Sequence, residues 1–223
     1  MAEHHPDLAL ADLATSEEHA AASLLSVTAQ WSDPTFTAQF DDGTAWVPVT
    51  AALPEAGFFA HGVVRACDLV GDGADAAFAS ALAVVATRAD LLLALVVSAD
   101  HLARGILTLR YHKHGAWRHV TIDTALPCTA GGGVRFCRAA TTRECFPSLL
   151  QKGYAKLHGG YAAARGGGDA GECLIDLTGG LLTRRRLQPG AEDETWARLS
   201  GARERESLVA VQSSSSGGGA KGR

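Results

Sequence analysis

At 223 residues the chain suits one domain, or one and a part, and is long enough to bury a sizeable core. Apolar residues make up 47% and charged residues 20%, a globular balance, and a net charge of −4 gives no general attraction for nucleic acid or an anionic membrane. The five cysteines (Cys67, Cys128, Cys137, Cys145, Cys173) are an odd number with no C-x-x-C pair, which argues against a disulfide framework or closed zinc site and for reduced thiols in the cytoplasm.

The chain opens with "MAEHHPDLALADL", acidic and without the apolar core of a signal peptide. Residues 1–27 are expected as a helical lead. The segment 31–59, "WSDPTFTAQFDDGTAWVPVTAALPEAGFF", is broken by proline and glycine and punctuated by aromatics, so it reads as irregular and packed.

Residues 65–86, "RACDLVGDGADAAFASALAVVA", run from a glycine-rich turn into an apolar helix over 76–87. An EF-hand beginning at Asp68 would have Gly73 at its sixth place, but Val70 and Ala79 stand at the third and twelfth, where oxygen ligands are needed. A nucleotide-binding α/β domain is an alternative. Gly71-x-Gly73-x-x-Ala76 matches a phosphate loop, and Asp100 follows a second apolar run as a ribose ligand. Against it, Arg65 and Asp68 would sit in a buried strand, and Asp72 and Asp75 would face the phosphates.

The run 90–98 reads as helix or strand, and Arg88 and Asp90 interrupt the apolar stretch 79–98, so no membrane anchor is expected. "GILTLRYHKHGAWRHVTID" (105–123) is a hairpin turning at Lys113-His114-Gly115-Ala116. His112 and His114 alternate on one strand and His119 lies on the next; the three could bind a metal, or simply decorate an exposed hairpin, the reading preferred because no orienting partners are visible. "ECFPSLLQKGYAKLHGGY" (144–161) is helical with one apolar face and ends at Gly159-Gly160. "TRRR" (183–186) is a solvated basic turn that could also dock an acidic partner. Helical character resumes over 191–211, and the Ser/Gly tail 213–223 is low in complexity.

Several of these pieces together resemble the calpain-like cysteine proteases of the papain-like clan, in the first half of the protease core. "WSDPTF" (31–36) is similar to the family's Φ-x-D-P-x-F segment. "GAWRHVTIDTALP" (115–127) is similar to its G-E-W-V-x-V-x-x-D-D-x-L-P hairpin. "ECFPSLLQKGYAKLHGGY" resembles E-F-W-x-x-L-L-E-K-A-Y-A-K-L-x-G-x-Y, and "IDLTGG" (175–180) resembles D-x-T-G-G. The resemblance implies an α+β fold: a helix-rich half of a papain-like core with a central buried helix, a small antiparallel hairpin and a C-terminal helix. Residues 28–182 would form that first subdomain, and 183–212 a linker and the start of the second.

In the family the nucleophile lies in D-I-x-Q-G-x-L-G-D-C-W-L-L-A-A, followed by L-L-x-x-V-V. Counting back from "LLALVV" (92–97) puts the nucleophile position at Ala77, the following tryptophan at Phe78, the leading aspartate at Asp68 and the oxyanion-hole glutamine at Gly71. No histidine follows His158, so the family's catalytic imidazole has no counterpart in this stretch of sequence. The resemblance therefore implies a proteolytically inactive relative, acting as a regulatory or scaffold module with a protein partner. It also implies a non-EF-hand calcium site with Asp68 and Glu144 as acidic ligands; the competing structural reading makes Asp68 a turn cap and Glu144 a helix N-terminal carboxylate.

Overall fold

Alternating β-type residues around a two-residue turn dictate the hairpin at the centre of the fold. In this computed structural model, which describes residues 30–36, 40, 42–59, 69–73, 75–141, 143–166 and 169–211, strand β4 runs Ile106–Lys113 and β5 runs Ala116–Asp123. They pair antiparallel, from Ile106 opposite Asp123 to Lys113 opposite Ala116. His114 (φ 52°) and Gly115 (φ 78°) form the turn, both in the left-handed region that a two-residue hairpin requires. The expected N-terminal lead (1–27), the Ser/Gly tail (213–223), Cys67 and Asp68 lie outside the described residues.

In chain order, β1 (Ala45–Pro48) leads into a short helix α1 (Val49–Ala52). Then come β2 (Leu69–Val70), α2 (Ala76–Val85), α3 (Ala89–Leu93) and β3 (Val96–Ser98), followed by the hairpin. β6 (Ala125–Cys128) and β7 (Arg138–Ala139) precede α4 (Phe146–Leu157), α5 (Tyr161–Gly166), α6 (Ala170–Thr178) and α7 (Glu192–Glu204). The sheets are small: β3-β4-β5, β1-β6 and β2-β7, each paired antiparallel. The architecture is α+β, as the resemblance implied.

The nucleotide-binding alternative is overturned by this topology. β2 has two residues and pairs antiparallel with β7 rather than lying in a parallel sheet. The second apolar run divides into α3 and β3, and β3 is antiparallel to β4. Gly71-x-Gly73-x-x-Ala76 is therefore not the first turn of a βαβ unit, and Asp100 is an exposed residue in the turn after β3.

α4 is buried along most of its length because it lies on the hairpin. Tyr111 of β4 donates its hydroxyl to the Leu150 carbonyl at 2.6 Å. Phe78 of α2 packs on Tyr154 of α4, ring centroids 4.8 Å apart, and α2 also packs against α6. A second apolar cluster joins Phe36, Phe136, Ala155 and Tyr161, with Phe40 and Trp46 against it; Phe136 and Tyr161 stack at 4.3 Å.

The charged residues of the recognisable motifs meet inside this core. Lys152, 1% exposed, reaches Asp123 at 2.5 Å and the Ala125 carbonyl at 2.7 Å, and lies 4.4 Å over the Trp46 ring. One turn along α4, Lys156 reaches Asp33 at 2.6 Å and the Thr121 carbonyl at 2.7 Å. Asp123 also accepts the Asp33 backbone N–H at 2.8 Å, so the two ion pairs share a linkage. Burial pulls the Lys152 ammonium below its ordinary value, with the Asp123 charge opposing. Such a pair stabilises little relative to apolar packing, but removing one partner typically costs about 3–5 kcal/mol.

The chain divides into two compact units, Met1–Arg184 and Arg185–Arg223. In the second, α7 has no buried residue, and its Trp196 is 72% exposed.

Candidate functional site

The glycine-rich turn after β2 positions the first turn of α2. Asp75 is the N-cap, Ala76 opens the helix, and Ala77 is its second residue, partly exposed beside the buried Phe78. This is where the dipole of a helix would lower the pKa of a thiol. A methyl group there has no proton to lose and no lone pair to attack a carbonyl.

Gly71, the residue that the resemblance led us to expect at the oxyanion position, is hemmed in. A β-carbon on Gly71 would lie 3.3 Å from the Ala79 β-carbon and 3.3 Å from both the carbonyl carbon and oxygen of Asp75. Two of these neighbours are backbone atoms, so a glutamine side chain cannot be added without moving the turn. The next residue anchors that turn: Asp72 accepts the Phe136 N–H at 2.8 Å and Arg138 Nη1 at 2.8 Å. Burial would raise the Asp72 carboxyl, but these hydrogen bonds and the Arg138 charge outweigh it and hold it below the ordinary value. Asp72, Arg135, Arg138 and Glu144 border a cleft of about 390 Å³.

Glu144 is 4% exposed and precedes α4. It is fixed by a parallel bridge to Gly57: the Gly57 N–H donates to the Arg143 carbonyl at 3.2 Å, and the Cys145 N–H donates to the Gly57 carbonyl at 3.1 Å. Asp68, the other acidic residue assigned to calcium, lies outside the described residues. Among the described residues, no group of three or more His, Cys, Asp or Glu side chains could hold a metal ion.

That finding also removes the three-histidine metal reading. His114 sits in the exposed hairpin turn, His112 packs edge-on against Trp117 at 5.7 Å, and His119 stands opposite Arg110. Strand alternation stops at the turn, so His112 and His114 do not share a face as the sequence spacing suggested.

None of the described thiols is placed to act as a nucleophile. Cys128, Cys137, Cys145 and Cys173 are all buried. Burial pushes Cys145 up to about 11, with the neighbouring Glu144 charge adding to it, and its Sγ donates to the Gly57 carbonyl at 3.4 Å. Burial likewise pushes Cys173 up to about 11, and burial raises Cys128. A reactive thiol needs the opposite, a lowered pKa and access to solvent.

The structure adds a polar cluster that sequence reading missed. Asp176 of α6 accepts from Lys113 at 2.8 Å and Tyr154 at 3.0 Å, and lies 3.2 Å from His158 Nε2. Tyr154 also contacts Cys173 Sγ at 3.6 Å. A thiol, an imidazole and a carboxylate are thus near one another, but the thiol is sealed behind the tyrosine. The cluster ties α4, α6 and the hairpin together. Its signal was present in the sequence: Asp176 belongs to "IDLTGG" and His158 to "KLHGGY".

A family model described as "Calpain family cysteine protease" matches residues 21–221. Among curated proteins, the calpain-type cysteine protease DEK1 of Arabidopsis thaliana is 37% identical over 106 residues, 48% of this chain and 5% of that protein. Calpain-10 of Mus musculus is 41% identical over 91 residues, 40% of this chain and 13% of that protein. Calpain clp-1 of Caenorhabditis elegans is 42% identical over 77 residues, 34% of this chain and 10% of that protein. The chain therefore spans only a small part of the length of the relatives it matches.

Proposed function

This chain belongs to the calpain family of cysteine proteases, and from that premise we propose that it is a member without peptidase activity, acting in the cytoplasm as a protein-binding regulatory or scaffold module. The observation that carries this reading is Ala77 at the head of α2, the position to which counting along the family pattern assigns its cysteine. Removing the nucleophile of such a unit typically costs on the order of 10⁶ in kcat. Losing an oxyanion donor costs roughly 10²–10³. The crowding at Gly71 supports the same reading, since the turn is shaped around a residue with no side chain. The burial of the four described thiols supports it further, because none offers a replacement nucleophile.

Calcium is part of the proposal in a structural role. The Glu144 carboxylate is buried beside Gly57, and a buried carboxylate is a fitting donor for a hard cation that takes oxygen ligands. Asp68 and backbone carbonyls of 60–64 would complete the set. When bound, the ion would supply positive charge that offsets these carboxylates.

Casein cleavage tests the reading. The purified chain is expected to release no peptides above background, with or without calcium. Cleavage that persists in Cys67→Ser would mean that the assignment of Ala77 is wrong. For calcium, titration calorimetry should give heat with the wild type and none with Glu144→Gln or Asp68→Ala; equal heats in all three would leave both residues structural.

A further inference from the structure

We propose that the peptide bond between Arg186 and Leu187 is a processing site for a serine endoprotease that takes arginine in an acidic specificity pocket. Such enzymes bind substrate as an extended strand, so a cleavable bond must lie in chain that is exposed and outside helices and sheets. Residues 179–190 are exposed without a break, and none of residues 179–188 belongs to a helix, strand or turn. Leu181 is 104% exposed. The three arginines 184–186 fall inside this segment, which also carries the division between the two compact units.

The three arginines are not equivalent. Arg184 reaches back to Asp169 at 2.8 Å and lies 3.8 Å from Glu172, which holds it toward the N-terminus of α6. Arg186 is two residues beyond that anchor, followed by the exposed Leu187. Most rival sites are protected by structure. Arg110 and Arg118 lie in the hairpin strands, Lys152 is buried in α4, and Arg198 and Arg203 lie within α7. The first 64 residues contain no lysine or arginine at all.

Cleavage would add water across the amide: the C–N bond breaks, Arg186 keeps a new carboxylate, and Leu187 leaves with the ammonium group. The product ending at Arg186 retains the whole first unit, Met1–Arg184, with the hairpin, α2, α4 and α6, and loses α7 with its exposed Trp196.

Limited trypsin treatment of the full chain, followed by intact-mass spectrometry, provides the test. Within residues 1–211, the first fragment is expected to end at Arg186, with ends at Arg184 or Arg185 as minor neighbours. The combined variant Arg184→Gln, Arg185→Gln and Arg186→Gln, with an unchanged circular dichroism spectrum, should lose its first fragment at least about tenfold more slowly, because cleavage would then wait on local opening elsewhere. A first cut after Arg65, Arg165 or any arginine of α7 would overturn the proposal. So would a triple variant cut as fast as the wild type.

Discussion

The Tyr111 hydroxyl fills the space that a β-carbon on residue 153 would need. On Gly153 that carbon would lie 2.6 Å from the hydroxyl oxygen and 2.7 Å from Leu109 Cδ1. The family pattern has alanine between the lysine and tyrosine of this helix; here glycine lets α4 close onto β4 while the hydroxyl bonds the Leu150 carbonyl. Gly153→Ala should destabilise by about 1–3 kcal/mol through overpacking. Tyr111→Phe should cost about 1 kcal/mol through the lost hydrogen bond. Urea denaturation of the double variant should show less than the sum, because the phenylalanine removes the atom that clashes. Strict additivity would mean that the two positions do not share this space.

The buried lysines should rank by their exposure. Lys152→Met leaves the Asp123 carboxylate buried with its counter-charge gone, and should cost about 3–5 kcal/mol. Lys156→Met strands Asp33, which is 1% exposed, but Lys156 is itself 22% exposed, so water can reach the gap it leaves and the variant should cost less. Denaturant midpoints for the two variants decide the order.

Thiol chemistry should separate positions. At pH 8 in the native state, Cys128, Cys137, Cys145 and Cys173 should not react with an aromatic disulfide on the timescale at which an exposed thiol does, and all five cysteines should react in denaturant. Ala77→Cys should add one fast-reacting thiol at the head of α2 without producing casein cleavage. Rapid labelling of Cys145 or Cys173 in the native protein would contradict their raised pKa values and burial.

Placing glutamine at Gly71, our proposed oxyanion position, should be costly. Gly71→Gln must displace the Asp75 backbone or the Ala79 methyl, and should destabilise by about 1–3 kcal/mol. A melting temperature equal to that of wild type would show that the turn rearranges freely.

Asp176 sets a pH dependence with a definite sign. Burial would raise its carboxyl, but hydrogen bonds from His158 and Lys113 and the Lys113 charge hold it below the ordinary value of 3.8. A carboxyl with a lower pKa when folded contributes stability above its unfolded value, and loses it as pH falls through the folded value. The stability gap between wild type and Asp176→Asn should therefore shrink as pH falls below 3.8. A gap that stays constant through that range would remove Asp176 from the acid response.

Local chemistry made much of the fold legible in advance. The hairpin turn, the glycines ending α4 and the order of the motifs are all written in neighbouring residues. The run 90–98 was open between helix and strand because a short apolar run carries no decisive period. The structure divides it, with Leu92 and Leu95 buried and Leu93 and Val97 exposed. Asp33, Asp123, Lys152 and Lys156 could be recognised as motif residues, yet their pairing could not be read, because partners so far apart in sequence meet only once the fold exists. Ala77 is the reverse case: counting along the family pattern put it at the start of a helix, and it is the second residue of α2.

The Asp33–Lys156 contact closes a loop of 123 residues. Closing a chain segment that long costs entropy, and the cost falls before the contact returns anything, so distant pairings of this kind slow folding. Asp33 is thus one clasp of the fold, and Phe36, packed on Tyr161, is another of similar reach. A shortened version that begins after residue 33 would keep the sequence of every helix described above, yet leave Lys156 and the Asp123 carboxylate without the residue that bridges them.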